Sequence, residues 1–432
     1  MMSGDPDDFE AIPLGGTTKL VNPQAAYAFE LAGPDSHHLG IIAPPAFSSP
    51  WIAGEMAEAY WQSLTRDVPF TDYDTDPLTI AAASDLSGFS DFRGPKVGGA
   101  VTTGTLFRGN TPGELAGPYI SQFLWKDIPF GPTTVIQRYR TTAAGVDHLI
   151  TYQEWLNVQS GLTPSTPNQF DPTSRYIHNG RGLGEWVHRD FSFQGVVTAA
   201  LILLGFGPGA LAPSNPYLAS ATQVGFSTFG VAHILDFVAR AVRPALEAAW
   251  YQKWLVHRRL RPEEYGGRVH NHLTGAANYP INAELLNSQA VSEIFSKYGT
   301  YLLPVAYAEG CPTHPAYPAG HATYTGAGVT MLKAFFKESF IIPSPVVARA
   351  DGLSLLPYAG PPLTVGAELN KLAANIAIGR DAAGVHWRTD ASEGMKLGEA
   401  LAIGILQDYR NTYTEDFSGF SFTKFDGTTV TI

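Results

Sequence analysis

The stretch AVRPALEAAWYQKWLVHRRLRP, residues 241–262, decides the fold class of this 432-residue chain. It ends a pattern that begins near Phe226, in which apolar residues recur at the three- and four-residue spacing of an amphipathic helix. Pro244 should kink this pattern or split it into two helices, because proline lacks the N–H that a helix interior requires. Helical spacing recurs at 51–66, 184–204, 288–297, 321–337, 365–378 and 389–409. The chain is therefore predicted to be mainly α-helical.

Glycine and proline concentrate in the first third of the chain, which contains long stretches without periodic apolar residues. Residues 1–180 are therefore expected to form a loop-rich part packed on a helical part, residues 181–432, within one compact unit. Loops are predicted at 93–117 and 158–184, and a small β-hairpin is predicted in the tail, residues 418–432. The predicted fold class is mainly α, with helical bundles, long loops and minor β-hairpins.

Composition excludes several classes of protein. The chain carries 28 Lys and Arg against 39 Asp and Glu, a formal charge of −11, which argues against nucleic-acid binding. No apolar run reaches the length of a membrane span, and the acidic residues 1–8 show no secretory signal. A soluble protein, cytoplasmic by default, is expected. A single cysteine, Cys311, excludes an intrachain disulfide and cysteine-based zinc or iron–sulfur sites.

The end of the long helical pattern is strongly basic. Lys253-Trp-Leu-Val-His-Arg-Arg-Leu-Arg261-Pro262 places cations near a helix C-terminus, where they are favourable even without a ligand. A solvated basic face is the ordinary interpretation of such a cluster. The functional interpretation is a set of fixed cations directed at an oxyanion.

A Pro- and Gly-rich loop runs into the next helix. It reads His314-Pro-Ala-Tyr-Pro-Ala-Gly320-His321, so free backbone N–H groups and the positive end of a helix dipole adjoin two histidines. This arrangement favours an anion, although capping histidines on a structural loop would give the same pattern.

The third segment, residues 379–390, contains Arg380, His386 and Asp390. If a helix begins near His386, Asp390 lies one turn from the imidazole and can orient it. Alone this segment is equally compatible with a structural role. Together, the three segments supply three cations, backbone donors and two histidines, which is a pocket for phosphate or vanadate.

These segments resemble the motifs of the vanadium-dependent haloperoxidases, which share their site with the type 2 phosphatidic-acid-phosphatase-like acid phosphatases. The similarity is especially close to red-algal and cyanobacterial bromoperoxidases. It extends to residues 187–190 and 226–230, and it covers about residues 185–410. The resemblance implies two four-helix bundles around the site. It also implies a homodimer or a higher dimer-based oligomer.

The resemblance implies a vanadate cofactor and no haem. His386 would bind vanadium, with Asp390 fixing its other ring nitrogen. The cofactor-binding residues implied are Lys253, Arg261, Ala319, Gly320, His321, Arg380 and His386. The catalytic residues implied are His321, Lys253 and His314, with His321 taking the proton that hydrogen peroxide loses. Bromide and iodide, with chloride as a further substrate, would be oxidised to hypohalous acid that halogenates small organic acceptors.

Several positions distinguish this chain within the superfamily. Lys253 and Arg261 are eight residues apart, as in the algal bromoperoxidases, whereas the phosphatases and fungal chloroperoxidases have seven. A bulge or helix end before Arg261 must absorb the extra residue, because eight residues overshoot a helix face by about 80–100°. Ala319 stands where the family usually has serine, so one hydroxyl donor to the oxyanion is missing.

Halide choice and calcium depend on other positions. His314 resembles bromoperoxidases, whereas Trp250 stands where fungal chloroperoxidases carry tryptophan, so both are candidates for halide specificity. Residues 219–225, which correspond to the algal calcium loop, contain no carboxylate, and calcium is not predicted. Two alternatives remain open: an acid phosphatase-like phosphomonoesterase that uses the same pocket, and a non-catalytic oxyanion-binding protein.

Overall fold

Helices make up most of the regular structure in the computed structural model, which describes residues 5–28 and 30–432. Residues 1–4, part of the stretch in which no secretory signal was found, lie outside the described residues. The α-helices are α1 (Pro6–Glu10), α2 (Pro50–Thr65), α3 (Pro77–Ser87), α4 (Tyr152–Gln159), α5 (Gly180–Arg189), α6 (Gln194–Leu204), α7 (Val231–Arg240), α8 (Val242–Tyr251), α9 (Pro262–Leu273), α10 (Ala283–Leu286), α11 (Gln289–Tyr298), α12 (Gly320–Phe335), α13 (Val365–Ala382) and α14 (Arg388–Arg410).

Short strands form three separate antiparallel hairpins. They pair β1 (Ile128–Phe130) with β2 (Thr133–Val135), β3 (Val346–Ala348) with β4 (Leu355–Pro357), and β5 (Ser421–Thr423) with β6 (Thr429–Thr431). The last is the hairpin predicted in the tail. The fold-class prediction of helical bundles, long loops and minor β-hairpins is confirmed. In the part of the chain that is described, no helix combines the length and apolarity needed to cross a bilayer.

Several helix starts follow from local capping signals. Ser49 accepts a hydrogen bond from the N–H of Ile52, and Pro50 is the first residue of α2, so the predicted helix 51–66 is confirmed within one residue at each end. Ser288 caps α11 in the same way, through the N–H of Val291. These signals are local, which is why the sequence alone reveals them.

Another prediction is wrong in detail. The predicted helix 184–204 is two helices, α5 and α6, separated at residues 190–193, where Phe193 has a φ of 111°. The predicted split of the long pattern from Phe226 into two helices is confirmed. It lies at Ala241, three residues before Pro244, because proline is tolerated in the first turn of α8, where no intrahelical N–H is needed.

Five helices were not predicted, namely the short α1 and α10 together with α3, α4 and α9. The first third contains α3 and α4, and the Gly266-Gly267 pair inside α9 weakens the helical signal of its sequence. The predicted loop 158–184 overlaps the end of α4 and the start of α5, whereas residues 93–117 form turns as predicted.

The helices surround two large apolar cores. One is formed mainly by α5–α8, α12–α14 and the tail hairpin. The other combines α2 and α3 with α9–α11 and includes Trp387. Helices from both sides of residue 180 therefore share the second core, and a domain boundary at that residue stays a prediction.

The closest helix contact in the first core joins α12 to α14. A Cβ at Gly398 would lie 2.0 Å from the carbonyl oxygen of Thr323, and a Cβ at Gly326 would lie 2.5 Å from that of Met395. Only glycine permits this approach. It brings the N-terminus of α12 next to that of α14, where the Ala319 N–H donates to the Asp390 carbonyl oxygen (2.9 Å).

Candidate active site

The eight-residue spacing between Lys253 and Arg261 is accommodated by a change of helix type. After α8 the chain forms a π-helical turn, Gln252–His257, and Arg258 then adopts a left-handed conformation with a φ of 46°. The extra residue is absorbed there, as the spacing requires. Both Lys253 and Arg261 are buried in the same pocket.

Lys253 is fully buried. Its Nζ donates to the carbonyl oxygens of Pro315 and Ala316, each at 2.8 Å, so the loop before α12 holds the ammonium in place. Burial, with the nearby charges of Arg261 and Arg380, brings the pKa of Lys253 well below its usual range. An anion in the pocket would offset that penalty and favour the charged amine.

Arg261 links two of the predicted histidines. Its guanidinium donates to Nε2 of His386 (2.9 Å), to Nδ1 of His314 (3.1 Å) and to the carbonyl oxygen of Val385 (2.6 Å). Burial, with the charges of Lys253 and Arg261, lowers the pKa of His314 well below its usual range. His314 is therefore neutral at pH 7 and lies against the cations.

Hydrogen bonds determine the tautomer of His386. Nδ1 lies 2.8 Å from Oδ2 of Asp390, and Nε2 lies 2.9 Å from Arg261, which can only donate. The ring proton is therefore on Nδ1, and the lone pair is on Nε2. Burial and the charges of Arg261, Lys253 and Arg380 lower the pKa of His386 well below its usual range, so the imidazole is neutral. Nε2 is the atom that can coordinate a metal.

The N-terminus of α12 lies at the same pocket. Ala319 precedes the helix and offers no capping side chain, and the N–H of Gly320 belongs to the first turn, which lacks intrahelical acceptors. A Cβ at Gly320 would lie 3.3 Å from the Trp250 ring, so a larger residue would press against that ring. Donation from the Gly320 N–H to an anion stays a prediction.

His321 belongs to a hydrogen-bonded triad with Asp190 and Tyr324. Its Nε2 lies 3.0 Å from Oδ1 of Asp190, and the hydroxyl of Tyr324 donates to Oδ2 (2.7 Å). In the neutral ring Nε2–H donates to the carboxylate, which leaves the lone pair on Nδ1. Burial and the charge of Arg380 lower the pKa of His321, while Asp190 opposes that shift.

Arg380 lies in the last turn of α13, not in the loop that follows. It donates to the carbonyl oxygen of Val187 (2.8 Å) and to the hydroxyl of Tyr307 (3.3 Å). Its buried Nε has no hydrogen-bond partner within the described residues. An unsatisfied guanidinium N–H beside Lys253, Arg261 and the lone pair of His386 fits an oxyanion with a central metal, which would supply the missing acceptor.

The two halide candidates touch each other. The Trp250 and His314 rings are 4.9 Å apart, and Lys253 Nζ lies 5.9 Å from the Trp250 ring centre. Trp250 also donates from Nε1 to the carbonyl oxygen of Val21 (3.3 Å). A cavity of about 750 Å³ is lined by Arg261 and His314, among others.

All the predicted site residues therefore lie together, but some members of the site were missed. Asp190 is in a segment that resembles the family, yet its contact with His321 was not predicted. Glu55 and Arg259 form buried ion pairs behind Asp390. Arg259 was visible as part of the basic cluster, whereas nothing in the local sequence singles out Glu55.

Comparisons with known proteins extend over the whole chain. The vanadium-dependent bromoperoxidase of Ascophyllum nodosum is 37% identical over 454 residues, covering 100% of this chain and 81% of that protein. The vanadium-dependent bromoperoxidase of Corallina pilulifera is 35% identical over 475 residues, covering 95% of this chain and 79% of that protein. These matches include the N-terminal third, in which the sequence shows no motif.

The fold agrees with these relationships. The model of the VCPO second helical-bundle domain matches residues 233–415. The structure is similar to the homohexameric structure of the second vanadate-dependent bromoperoxidase (AnII) from Ascophyllum nodosum. The TM-score is 0.95 at 31% sequence identity, with 100% of this chain and 79% of that chain covered.

Proposed function

This chain belongs to the family of vanadium-dependent haloperoxidases, and we propose that it uses hydrogen peroxide to oxidise bromide and iodide to hypohalous acid. Chloride is a further, weaker substrate, and the hypohalous acid halogenates small organic acceptors. The observation that carries this proposal is the neutral His386, whose Nε2 lone pair faces Arg261 in a pocket of buried cations.

The residues of the pocket suit vanadate. His386 would hold the metal through Nε2, while Lys253, Arg261 and Arg380 would balance the negative charge and the Gly320 N–H would donate to an oxygen. When bound, vanadate supplies a Lewis acid that stays at +5 and activates peroxide toward attack by halide. Ala319 offers no hydroxyl, so one hydrogen bond usual in the family is missing.

His321 is the residue we assign to proton transfer. Hydrogen peroxide must lose a proton to become a good ligand, and Nδ1 of neutral His321 can accept it. The imidazolium that forms is stabilised by Asp190 at 3.0 Å from Nε2. The proton can return to the product when hypohalous acid leaves.

Lys253 acts through its charge. Two carbonyl oxygens hold the ammonium rigidly, so little reorganisation is needed when negative charge develops next to it. The adjacent Trp250 and His314 rings shield it from water, which strengthens the interaction. We assign halide selection to this pair because both rings border the cation.

We also propose that the chain forms homo-oligomers, either dimers or dimer-based assemblies. The support is the homohexamer formed by the relative from Ascophyllum nodosum, which shares the fold at a TM-score of 0.95.

The test is a paired assay on vanadate-free protein. One sample receives orthovanadate, hydrogen peroxide, bromide and a brominable dione, and the other receives p-nitrophenyl phosphate without vanadate. We expect bromination that depends on vanadate. Phosphatase activity alone would replace the proposal with the phosphomonoesterase alternative, and no activity in either sample would leave only oxyanion binding.

Matched histidine variants make the assay specific. His386→Ala should abolish vanadate-dependent bromination, because the metal loses its protein ligand. His38→Ala changes an exposed histidine whose side chain is 84% accessible and should retain full activity. Bromination by H386A at the wild-type rate would refute the assignment of His386.

A further inference from the structure

A chain of buried ionic contacts runs behind the ligand histidine and ends on α2, in the N-terminal third. Asp390 uses Oδ2 for His386 and Oδ1 for NH1 of Arg259 (2.8 Å). NH2 of Arg259 then donates to Oε2 of Glu55 (2.7 Å). Glu55, Arg259 and Asp390 are all buried, and 204 residues separate Glu55 from Arg259.

The geometry shows what Glu55 contributes. A guanidinium next to a carboxylate tends to form a two-bond fork that occupies both carboxylate oxygens. Here Glu55 occupies NH2 of Arg259, so Arg259 gives Asp390 only one bond, at Oδ1. Oδ2 therefore remains available to accept the Nδ1 proton of His386.

Glu55 also anchors the start of the helix that carries Asp390. Its Oε1 accepts hydrogen bonds from the N–H of Thr389 (2.8 Å) and from the Thr389 hydroxyl. A carboxylate at the first turn of α14 satisfies a free N–H and interacts favourably with the helix dipole. One side chain from α2 thus constrains both the helix and the arginine that set the position of Asp390.

We propose that Glu55 is a positioning residue for the cofactor ligand. Acting through Arg259 and Asp390, it keeps the His386 proton on Nδ1 and so leaves the lone pair on Nε2, the atom that would bind vanadium. The inference rests on the proposed function for the identity of the metal, but the tautomer is a property of the chain alone.

The test compares two glutamates on the same helix. Glu55→Gln keeps the shape of the side chain but removes its charge and replaces one carboxylate oxygen by an NH₂ group. The single remaining oxygen can no longer accept from Arg259 and from Thr389 in the positions that the two carboxylate oxygens occupy. Glu58→Gln is the matched control. Glu58 is also buried and accepts from Arg388 Nε (2.8 Å), but the described contacts of neither Glu58 nor Arg388 include Asp390 or His386.

Two readouts on full-length, vanadate-free protein follow the effect. Equilibrium dialysis gives the dissociation constant for orthovanadate, which should rise about tenfold in E55Q. Losing a residue that orients a metal ligand typically weakens metal binding by about 10–100-fold, and Glu55 acts at one further remove. Solid-state ¹⁵N spectra of histidine-labelled protein, with His386→Ala for assignment, should show the proton on Nδ1 in wild type. In E55Q a population with the proton on Nε2 should appear.

The control should leave both readouts unchanged. Wild-type affinity and tautomer in E55Q would overturn the proposal, as would an equal effect of E58Q. If E55Q does not fold, Arg259→Lys tests the same series of contacts. A lysine ammonium cannot reproduce the planar guanidinium whose two NH₂ groups bridge Glu55 and Asp390. Unchanged orthovanadate binding in R259K would also overturn it. A wild-type protein without bromination refutes the proposed function, whereas the ¹⁵N comparison still tests this inference.

Discussion

His321 and Asp190 are hydrogen-bonded, Nε2 to Oδ1 at 3.0 Å, although 131 residues separate them in the chain. Asp190 lies at the break between α5 and α6, where the sequence pattern had predicted a continuous helix. The break frees the carboxylate to face α12, and Tyr324, one turn after His321, holds the other carboxylate oxygen. The interruption of the helix thus completes the hydrogen-bonded group to which we assign proton transfer.

Replacing Asp190 by asparagine should shift the acid limb of the pH profile. The carboxylate favours the imidazolium form of His321, so its loss should lower the pKa of His321 further. His321 would then stay neutral, and able to accept a proton, at more acidic pH. The acid limb of kcat/KM for hydrogen peroxide should move down by about one pH unit.

Tyr324→Phe is the control for this shift. It removes a hydrogen bond to Asp190 but leaves the carboxylate charge beside His321. Its acid limb should stay near that of wild type. If the acid limb of the D190N profile stays in place or moves to higher pH, Asp190 does not stabilise the imidazolium form of His321.

Ala319→Ser should tighten vanadate binding. The backbone of Ala319 is extended, with φ −70° and ψ 125°, as expected at a helix N-cap. A serine hydroxyl there can donate to the oxyanion, and a hydrogen bond to a charged group is worth about 1.5–3 kcal/mol. The dissociation constant for orthovanadate, measured by equilibrium dialysis, should fall at least tenfold.

A second N-cap alanine tests whether the effect is specific. Ala241→Ser places a hydroxyl before α8, where none of the described hydrogen bonds of Ala241 involves a residue assigned to the anion pocket, and should leave vanadate affinity unchanged. Weaker or unaltered binding in A319S would reject the interpretation of this position.

Glu263 should make the protein less stable as the pH rises. Burial raises the pKa of Glu263 to about 7, against 4.5 in an exposed side chain. The folded state therefore binds its proton more tightly than the unfolded state does. The resulting stabilisation is complete below pH 4.5 and is lost as the pH rises through 7, with a total of about 3 kcal/mol.

Urea unfolding of wild type and Glu263→Gln at pH 5 and pH 8 measures this contribution. Glutamine stays neutral, so the free energy of unfolding of wild type should fall relative to E263Q between the two pH values. Glu264→Gln is the control, because Glu264 is partly exposed and pairs with Arg268 at the surface. Wild type and E263Q with parallel pH dependence would contradict the assignment.

Trp250→Arg should favour bromide over chloride. The centre of the indole ring lies 4.9 Å from that of the His314 ring and 5.9 Å from Nζ of the fully buried Lys253. An arginine would add a fourth cation to Lys253, Arg261 and Arg380 and would admit water, which weakens the field that oxidation of chloride requires. The chloride-to-bromide ratio of kcat/KM should fall about tenfold, as expected for a change of about 1.4 kcal/mol.

Trp250→Phe distinguishes the contribution of the aromatic ring from that of the indole hydrogen bond. Phenylalanine keeps an aromatic face against His314 but loses the bond from Nε1 to the Val21 carbonyl oxygen. Its halide ratio should stay within about threefold of wild type. A W250R enzyme with an unchanged halide ratio would remove Trp250 from the specificity group.

The sequence by itself determined the helical class, the positions of most of the longer helices and the three segments to which we assign the anion pocket. Apolar periodicity and capping residues act within one or two helical turns, so a start such as Ser49-Pro50 is visible without tertiary structure. The eight-residue interval from Lys253 to Arg261 likewise required a local distortion, which the π-helical turn supplies.

Only the tertiary structure decided which side chains form hydrogen bonds with His321 and Asp390. The partners of His321 and Asp390 come from residues 131 positions away, and Glu55 acts from 334 positions before Thr389. No periodic pattern encodes such pairs, because burial and close helix packing, as at Gly398 against α12, bring them together. Whether the His386 proton lies on Nδ1 or Nε2 depends on those distant partners, since an isolated imidazole can carry it on either nitrogen.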